Sequence, residues 1–330
     1  MRAVVISQPG SVRLENVKDP VLVRDEVVVK VLGCGICGTD LHAIHEGLPT
    51  VRFPLIPGHE PFGEIVEVGA GETALRVGDR VAIDPSLHCG VCARCQQGRG
   101  NLCERWGAIG GTRSGAWSEF LAVPRRNIHV LREDFPFDCA PIIEPVACAL
   151  RGVVQLKPQL DASALIFGAG TMGMLLALLL NLKGVGPLTV VEKNEDRCRI
   201  ARQFLPATVI GPDDLGDLQT ELVVDATGDP VAMEAGLRHV APGGTMLFFG
   251  VASPAARLSL SPFDIYEREI TVLGSKAILN TFTSAIDTVH RHAALFRPLI
   301  AKPGYPLERF NEALAMLQSG SGVKIVIQPG

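Results

Sequence analysis

The chain shows two patterns of hydrophobic and polar residues, which change over at about residue 150. In the first part, short pieces with alternating apolar side chains are separated by turns rich in Gly, Pro and Asp. This pattern is typical of β-strands with one buried face. The clearest pieces are Ala3 to Ile6, Val27 to Val31, Glu64 to Val68 and Arg80 to Ile83. The first part is therefore predicted to be a mostly β domain.

From about residue 160 to 290 the pattern becomes strand, glycine turn, apolar helix and strand again. The predicted strands are Ala164 to Phe167, Leu188 to Glu192, Leu222 to Asp225, Thr245 to Phe249 and Ile270 to Leu273. Strands that alternate with helices predict an α/β fold with a doubly wound parallel sheet. The last stretch contains a helix-like segment, Glu308 to Leu317, and a strand, Val323 to Ile327, and could belong to either half.

Length and charge restrict the class of protein. A chain of 330 residues with 47% apolar content favours two domains, each with its own core. The formal net charge of -4 leaves no basic excess for nucleic acid or for a membrane surface. We therefore expect a small-molecule substrate, and neither a nucleic acid nor a membrane partner.

The sequence also indicates a cytoplasmic protein. The N-terminal MRAVVISQPG has the pattern of a first strand and lacks that of a signal peptide. The most apolar run, Met172 to Leu182, is about half of the ~20 residues that cross a bilayer, which predicts a buried helix. Nine cysteines in a reducing compartment indicate metal ligation or buried thiols before disulfides.

Four of the cysteines are grouped in the segment HCGVCARCQQGRGNLC. Cys89, Cys92, Cys95 and Cys103 are separated by two, two and seven residues, in a loop without hydrophobic periodicity. Four thiolates form a closed tetrahedral set for a structural Zn(II). An iron–sulfur loop is the alternative, but nothing else in the sequence indicates electron transfer.

A second group of metal donors lies in two separate motifs. GICGTDLH places Cys37 just after a predicted strand, and PLIPGHE places His59 and Glu60 in a constrained turn. A thiolate, an imidazole and a carboxylate form a mixed set, and zinc sites with three protein ligands leave a position for water or substrate. Each residue alone is more often part of the packing.

A glycine motif predicts a dinucleotide site. Gly168, Gly170 and Gly173 form GxGxxG between a predicted strand and an apolar helix, where the helix N-terminus can face a pyrophosphate. Glu192 ends the next strand, 24 residues after Gly168. An acidic side chain there accepts from ribose hydroxyls and repels a 2′-phosphate, so NAD is favoured over NADP. Lys193 and Arg197 argue in the opposite direction.

These motifs together resemble the zinc-containing medium-chain dehydrogenase/reductase (alcohol dehydrogenase) family, in its sorbitol and threonine dehydrogenase-like branch. GICGTDLH, GHEPFGEIVEVG, the four-cysteine loop, IIEP, GAGTMG and GVKIVI occur in that family's order and cover nearly the whole chain. The resemblance implies a GroES-like β-barrel catalytic domain at 1–153 and 292–330 and a Rossmann domain at 154–291. It also implies an active site in the cleft between the two domains, two zinc ions per chain, and a homodimer or homotetramer.

The resemblance also implies roles at the catalytic zinc. Cys37 and His59 would bind the metal, with either Glu60 or Glu144 of IIEP as the third protein ligand. Zinc would lower the pKa of the alcohol so that its carbon can release hydride. Thr39 would take the hydroxyl proton and His42 would pass it towards solvent. Asp40 would support the ligands from behind or simply cap a turn.

Further residues are implied to contact the cofactor. They are Thr171 and Met172 of GAGTMG, Arg197 beside the adenine, Thr227 of DATG, Gly250, Val251, Leu273 and Gly274. Lys324 of GVKIVI would reach the pyrophosphate, or would be a solvated strand lysine.

One segment departs from the sorbitol dehydrogenase pattern. Ala277 and Ile278 stand where those enzymes carry an Arg-Tyr pair that helps to bind polyol hydroxyls. The candidate residues for an altered substrate pocket are Ile44, Phe53, Trp117 and Asn280.

The expected function is reversible oxidation of a secondary alcohol in a polyol, sugar alcohol, amino alcohol or cyclitol by NAD. Two alternatives are a biosynthetic dehydrogenase of an aminocyclitol or sugar intermediate, and a non-catalytic protein that binds zinc and dinucleotide. The complete set of Cys37, Thr39, His42, His59 and Glu144 argues against the non-catalytic alternative, because a binding protein has no use for a proton relay.

Overall fold

The computed structural model describes residues 1–47, 51–70 and 73–330. The chain divides into two compact units, Met1–Glu144 with Ile278–Gly330, and Pro145–Ala277. The predicted divisions, after residues 153 and 291, differ from these. The first division falls inside one continuous helix, Ile143–Leu156. No loop or linker lies at that position, because the helix continues through it.

The first unit is built mainly from β-strands. The strands are β1 Arg2–Gln8, β2 Ser11–Asn16, β3 Glu26–Gly35, β4 Glu60–Val68, β5 Arg80–Ile83, β6 Ser86–Leu87, β7 Gly107–Ala108, β8 Phe120–Pro124 and β9 Ile128–Val130. Two short helices, α1 Gly38–His45 and α2 Ala93–Gln96, follow β3 and β6. The helix that crosses the division between the units is α3, Ile143–Leu156.

The second unit alternates strands with helices. Its strands are β10 Ala164–Phe167, β11 Leu188–Val191, β12 Thr208–Ile210, β13 Thr220–Asp225, β14 Val240–Phe248 and β15 Thr271–Gly274, and its helices are α4 Thr171–Leu182, α5 Glu195–Phe204, α6 Pro230–Arg238 and α7 Pro262–Glu267. The strands pair in parallel in the order β12-β11-β10-β13-β14-β15. This order is that of a Rossmann domain, which confirms the predicted doubly wound sheet.

The remaining elements return to the first unit. They are α8 Phe282–Arg291, α9 Ala293–Phe296, α10 Phe310–Ser319 and β16 Val326–Ile327. Strand β16 joins the edge of an antiparallel sheet of order β16-β3-β4-β5-β9, and β8 also pairs with β3. Apolar side chains of β1, β3, β4, β5, β8 and α10 form the core of this unit.

The most apolar helices are buried. In helix α4 every residue from Gly173 to Leu180 is buried, as expected for the Met172 to Leu182 segment. Among the described residues, one helical stretch, Phe137–Leu156, is long and apolar enough to span a membrane, but 72% of its apolar window is buried within the protein. Such burial is typical of the core helix of a globular domain.

Candidate metal centres and dinucleotide site

The four cysteines of the loop converge on one point. The sulfur atoms of Cys89, Cys92, Cys95 and Cys103 all lie within 4.8 Å of one another. The Cys89 and Cys95 sulfurs are 3.9 Å apart, and so are those of Cys92 and Cys103. Distances near 4 Å fit four sulfurs around one tetrahedral zinc and are too long for disulfides.

Backbone amides of the loop stabilise two of the four sulfurs as thiolates. The Cys92 amide donates to Cys89 Sγ at 3.3 Å, and the amides of Cys89 and Arg105 donate to Cys103 Sγ at 3.4 and 3.3 Å. Hydrogen bonds from the Val91 and Cys92 amides lower the pKa of Cys89 to about 5. The anionic sulfur is the form that binds metal, so the donor set fits a structural zinc ion.

A second donor group lies where β3, α1 and β4 meet. The donor atoms of Cys37, His59 and Glu60 all lie within 4.8 Å of one another. Cys37 is the residue before helix α1, and His59 immediately precedes β4. The register pairs Gly35 of β3 with Glu60 of β4, which brings the two donor motifs together.

Asp40 connects the two donor motifs. Its carboxylate accepts from the Cys37 amide at 2.9 Å and from the Gly58 amide at 3.3 Å. One of its oxygens also lies 3.4 Å from Nδ1 of His59. The Asp40 carboxylate thus closes the turn at the start of α1 and lies beside an imidazole that it could orient.

The charges around His59 favour its protonated form in the metal-free protein. Burial lowers the pKa of the imidazole, but the Asp40 carboxylate and the Cys37 sulfur together raise it well above its usual value. A metal ion binds the neutral ring only, so binding must release a proton here.

Glu60 and Glu144 are placed differently. Glu60 is 2% exposed and belongs to the donor group. Glu144 lies outside that group, in the first turn of α3, and is half-buried. The geometry of the described residues thus groups Glu60, rather than Glu144, with Cys37 and His59.

The dinucleotide motif forms the turn between β10 and α4. Gly168 has φ +98°, a left-handed conformation that favours glycine. Gly170 is the N-cap of α4, and a Cβ built on it would meet nothing within 4 Å, which leaves room for a phosphate. A Cβ on Gly173 would instead overlap the Gly168 carbonyl, so this glycine is required by packing.

Glu192 follows β11 at the same edge of the sheet. Its carboxylate accepts from the amides of Ala169 at 2.8 Å, Lys193 at 2.9 Å and Asn194 at 2.8 Å. The side chain thus fixes the glycine turn to the start of α5. Its oxygens retain acceptor capacity for ribose hydroxyls.

Comparison with known proteins decides the family. Two family models match the chain, the alcohol dehydrogenase GroES-like domain at residues 23–133 and the zinc-binding dehydrogenase at residues 171–291. D-altritol 5-dehydrogenase of Agrobacterium fabrum is 34% identical over 308 residues, which are 91% of each chain. The chain belongs to the zinc-dependent alcohol dehydrogenase family.

Two further relatives of this alcohol dehydrogenase cover almost its whole length. D-arabinitol dehydrogenase 1 of Uromyces fabae is 32% identical and covers 100% of this chain and 97% of its own. The crystal structure of a zinc-binding dehydrogenase from Sinorhizobium meliloti 1021 bound to NADP has a TM-score of 0.91, with 29% identity and 99% of each chain covered. The predicted membership of the zinc-containing family is confirmed.

Of the two residues expected to move the proton, Thr39 lies beside the second donor group. Thr39 Oγ1 is 3.7 Å from Cys37 Sγ. His42 is one turn further along α1, is partly exposed, and lies 3.7 Å from the Glu46 carboxylate. The transfer of a proton from Thr39 to His42 stays a prediction.

The other expected cofactor residues lie at the carboxyl ends of the parallel strands. Thr171 and Met172 begin α4, Arg197 lies in the first turn of α5, Thr227 follows β13, Gly250 and Val251 follow β14, and Leu273 and Gly274 end β15. Asp225 organises the Thr227 turn, because its buried carboxylate accepts from the amides of Thr227 and Gly228. Ligands of such sheets bind outside this edge, next to the paired strands β10 and β13, where the strand order reverses its direction.

The structure corrects the expectation for Lys324. Its side chain is 1% exposed, and its ammonium donates to both oxygens of Glu60 and to the Ile36 carbonyl. It is therefore not a solvated strand lysine. An ammonium enclosed in this way is also not available to a pyrophosphate.

The expected substrate pocket is also corrected. Ile44 and Trp117 are buried members of the core of the first unit, at 3% and 0% exposure. Their large apolar side chains fill the space beneath α1 and the Gly58 turn, so they do not line a pocket. Phe53 is half-buried against the same core, and Asn280 is exposed with φ +56°.

Sequence reasoning missed Arg105 at the four-cysteine loop and gave Lys324 a role away from the second donor group. The Arg105 side chain helps to lower the pKa of Cys89, and Lys324 is bound to Glu60. Arg105 lies two residues after the last cysteine of the loop, so proximity could have identified it. Lys324 is separated from Glu60 by 264 residues, and no local signal connects them.

Proposed function

We propose that this alcohol dehydrogenase catalyses the reversible, NAD-linked oxidation of a secondary alcohol in a polyol, sugar alcohol or amino alcohol. The observation that carries the proposal is the contrast between the two donor groups, one with four thiols and one with a thiol, an imidazole and a carboxylate. A closed set holds a structural ion, whereas three donors leave a position for a substrate oxygen. The names of the altritol and arabinitol dehydrogenases support a polyol-like substrate.

The second donor group, which is called the mixed group below, and the residues next to it have different roles. Cys37, His59 and Glu60 would hold the metal, and the four-cysteine loop would hold a second ion. When bound, the metal supplies a Lewis acid for the alcohol oxygen and the nicotinamide supplies a hydride acceptor. Thr39 would accept the proton of the substrate hydroxyl while its own hydroxyl proton leaves towards His42, and His42, partly exposed on α1, would pass a proton to bulk water.

We propose NAD as the physiological cofactor. Glu192 is an anion at the end of β11 and would repel a 2′-phosphate. Because three backbone amides hold it in place, it cannot turn away from that phosphate without breaking them. The NADP-bound relative makes the comparison of NAD with NADP a necessary test.

The substrate is expected to differ from sorbitol. Ile278 is 4% exposed, so its apolar side chain is packed inside the protein. Ala277 next to it offers only a methyl group. Without a guanidinium and a phenol at these two positions, fewer hydroxyls of a long polyol would be bound.

A substrate panel tests the proposal. Zinc-replete protein is assayed with polyols, sugar alcohols, amino alcohols and cyclitols, with either NAD or NADP, by the absorbance of the reduced cofactor. We expect turnover of at least one class, with kcat/KM higher for NAD than for NADP. The Cys37→Ser variant is the control for a contaminating enzyme. Absence of cofactor reduction across the whole panel would instead support the non-catalytic alternative.

We also propose a homodimer formed through the edge strand β15. This strand is the last of the parallel sheet, and Val272 is 38% exposed on it. Phe263 and Tyr266 of the preceding helix α7 are 69% and 76% exposed. An edge strand beside exposed aromatic residues is suited to pairing with a second copy. Light scattering of the wild type and of the Phe263→Ser/Tyr266→Ser variant would test this, and equal masses would contradict it.

We propose a cytosolic location. All nine cysteines are free thiols, and the two donor groups use five of them. Thiolate ligands persist in a reducing compartment. Fractionation of cells that produce the protein would check the location.

A further inference from the structure

Lys324 occupies an unusual position for a lysine. Its side chain is 1% exposed, and lysines are rarely buried to this extent unless they are paired. Its ammonium lies 2.7 and 2.6 Å from the two carboxylate oxygens of Glu60 and 3.1 Å from the Ile36 carbonyl oxygen. All three donor positions of the ammonium are therefore used.

The backbone fixes Lys324 in this place. Its amide donates to the Leu299 carbonyl at 2.8 Å, and its carbonyl accepts from the Ala301 amide at 2.8 Å. The next residue, Ile325, accepts from the Ile36 amide at 2.9 Å. The side chain therefore extends from an anchored segment towards the residues just before Cys37.

The Glu60 oxygens are the ones that a metal ion would need. Both accept from Lys324, while the same carboxylate lies within 4.8 Å of the Cys37 and His59 donors. A divalent ion on Glu60 would thus share a carboxylate with a buried ammonium and would be repelled by it at close range. Burial lowers the pKa of Lys324, but its interactions with Glu60, Cys37 and Glu144 together raise that pKa above its usual value.

We propose that Lys324 is a positioning residue that competes with the metal ion for Glu60 and so weakens the hold of the third ligand. The inference rests on the proposed metal centre at Cys37, His59 and Glu60. In the metal-free protein Lys324 keeps Glu60 oriented and neutralised. In the metal-loaded protein the same ammonium leaves Glu60 more weakly bound than the other two ligands.

Zinc affinity of purified, full-length variants tests the proposal. Zinc-loaded protein is titrated with a chromophoric chelator, and the four-cysteine site provides an internal reference in the same sample. Cys37→Ser identifies the phase that belongs to the mixed site. Lys324→Met has nearly the same length without the charge, and we expect its mixed site to hold zinc about tenfold tighter or more, within the range by which neighbours of ligands change affinity.

A purely structural role predicts the opposite sign. If Lys324 only supported the fold, its loss would lower both the thermal stability of the metal-free protein and its zinc affinity. We expect lower stability without metal but higher zinc affinity. Unchanged or weaker zinc binding in Lys324→Met would overturn the proposal.

The Glu60→Gln background tests the route of the effect. Lys324→Met introduced into Glu60→Gln should change zinc affinity by less than about threefold, because the charged carboxylate is absent. An equal gain in both backgrounds would contradict competition for Glu60.

Two further results distinguish failure of the Lys324 proposal from a folding defect and from a wrong assignment of the metal centre. If Lys324→Met does not fold, Lys324→Gln, which still donates a hydrogen bond, is expected to show the same gain and decides the question in the same way. If Cys37→Ser leaves both release phases in place, the metal assignment itself fails. Loss of one phase in Cys37→Ser with no effect of Lys324→Met overturns the Lys324 proposal alone.

Discussion

Gly35 shows at the scale of one residue how closely the second donor group is packed. A Cβ built on Gly35 would overlap an oxygen of Glu60 and lie 3.1 Å from Cδ of Lys324. We expect Gly35→Ala to displace the Glu60 carboxylate, to lower stability by about 1–3 kcal/mol as in overpacked cores, and to lower zinc affinity at the mixed site. Thermal unfolding and chelator competition measure the two effects.

Gly38 provides a matched control three residues away. It is the first residue of α1, and a Cβ there would meet nothing within 4 Å. Gly38→Ala should therefore keep both the stability and the zinc affinity of the wild type. Equal effects of the two substitutions would show that the space around Glu60 is not the reason for glycine at position 35.

Single cysteines separate the roles of the two metal centres. Cys37→Ser removes a donor of the mixed group, so turnover should fall by a factor on the order of 10³ or more, because several kcal/mol of stabilisation by the metal are lost. Dinucleotide binding, measured by calorimetry, should remain.

Cys103→Ser should act on folding instead. Cys103 is buried, and its sulfur accepts from two backbone amides of the loop. Its loss should lower stability by about 2 kcal/mol or more, as for other lost metal ligands, while residual activity remains in the folded fraction. Loss of folding to the same degree in both variants would contradict the assignment of two different centres.

The glycine turn between β10 and α4 gives a prediction at the scale of an element. Gly170 faces open space at the start of α4, whereas Gly173 packs against the Gly168 carbonyl. Gly170→Ala should leave the melting temperature unchanged and weaken NAD binding about tenfold, because the methyl group takes the place of a phosphate contact. Gly173→Ala should lower the melting temperature through overpacking.

The two alanine variants control each other, since both make the same chemical change within one turn. Thermal unfolding without cofactor and calorimetry with NAD provide the two measurements. If Gly170→Ala bound NAD as tightly as the wild type, the open space at the N-terminus of α4 would not be where the pyrophosphate binds.

Elements with local signals could be predicted from the sequence. The cysteine spacing and the GxGxxG turn depend on a few neighbouring residues. The four cysteine sulfurs lie together, and Gly168 has the left-handed conformation that such a turn needs. The C-terminal strand was less predictable. Its apolar run suggests Val323 to Ile327, but only Val326–Ile327 forms a ladder with β3. Lys324 and Ile325 form their backbone bonds with Leu299, Ala301 and Ile36, and this pairing depends on the tertiary fold.

The same limit applies to burial and to the division of the chain. Trp117 looks like a pocket residue in the sequence, yet its ring fills the space against Gly58, which has φ +95°. The division after Glu144 lies in the first turn of helix α3, which continues through it to Leu156. Both features depend on contacts between segments far apart in the chain, which periodicity does not report.

The whole molecule carries both candidate metal centres in one unit and the glycine motif in the other. Both tryptophans also lie in the metal-binding unit, with Trp106 donating its amide to the Cys103 carbonyl at 3.0 Å and Trp117 against the Gly58 turn. Tryptophan fluorescence therefore reports on the first unit alone, whereas circular dichroism reports on both. Each unit has its own hydrophobic core.

Removal of metal by a chelator should therefore destabilise the two units unequally. The fluorescence-detected melting temperature should fall, because the four-cysteine loop and the group of Cys37, His59 and Glu60 each lose an ion. A second transition, seen by circular dichroism, should remain. NAD should raise the free energy of unfolding of this transition by about 2.7 kcal/mol at 100 times the Kd. Restoring zinc should recover the first transition. A single transition that falls with chelator and does not respond to NAD would contradict the assignment of metal and cofactor to separate units.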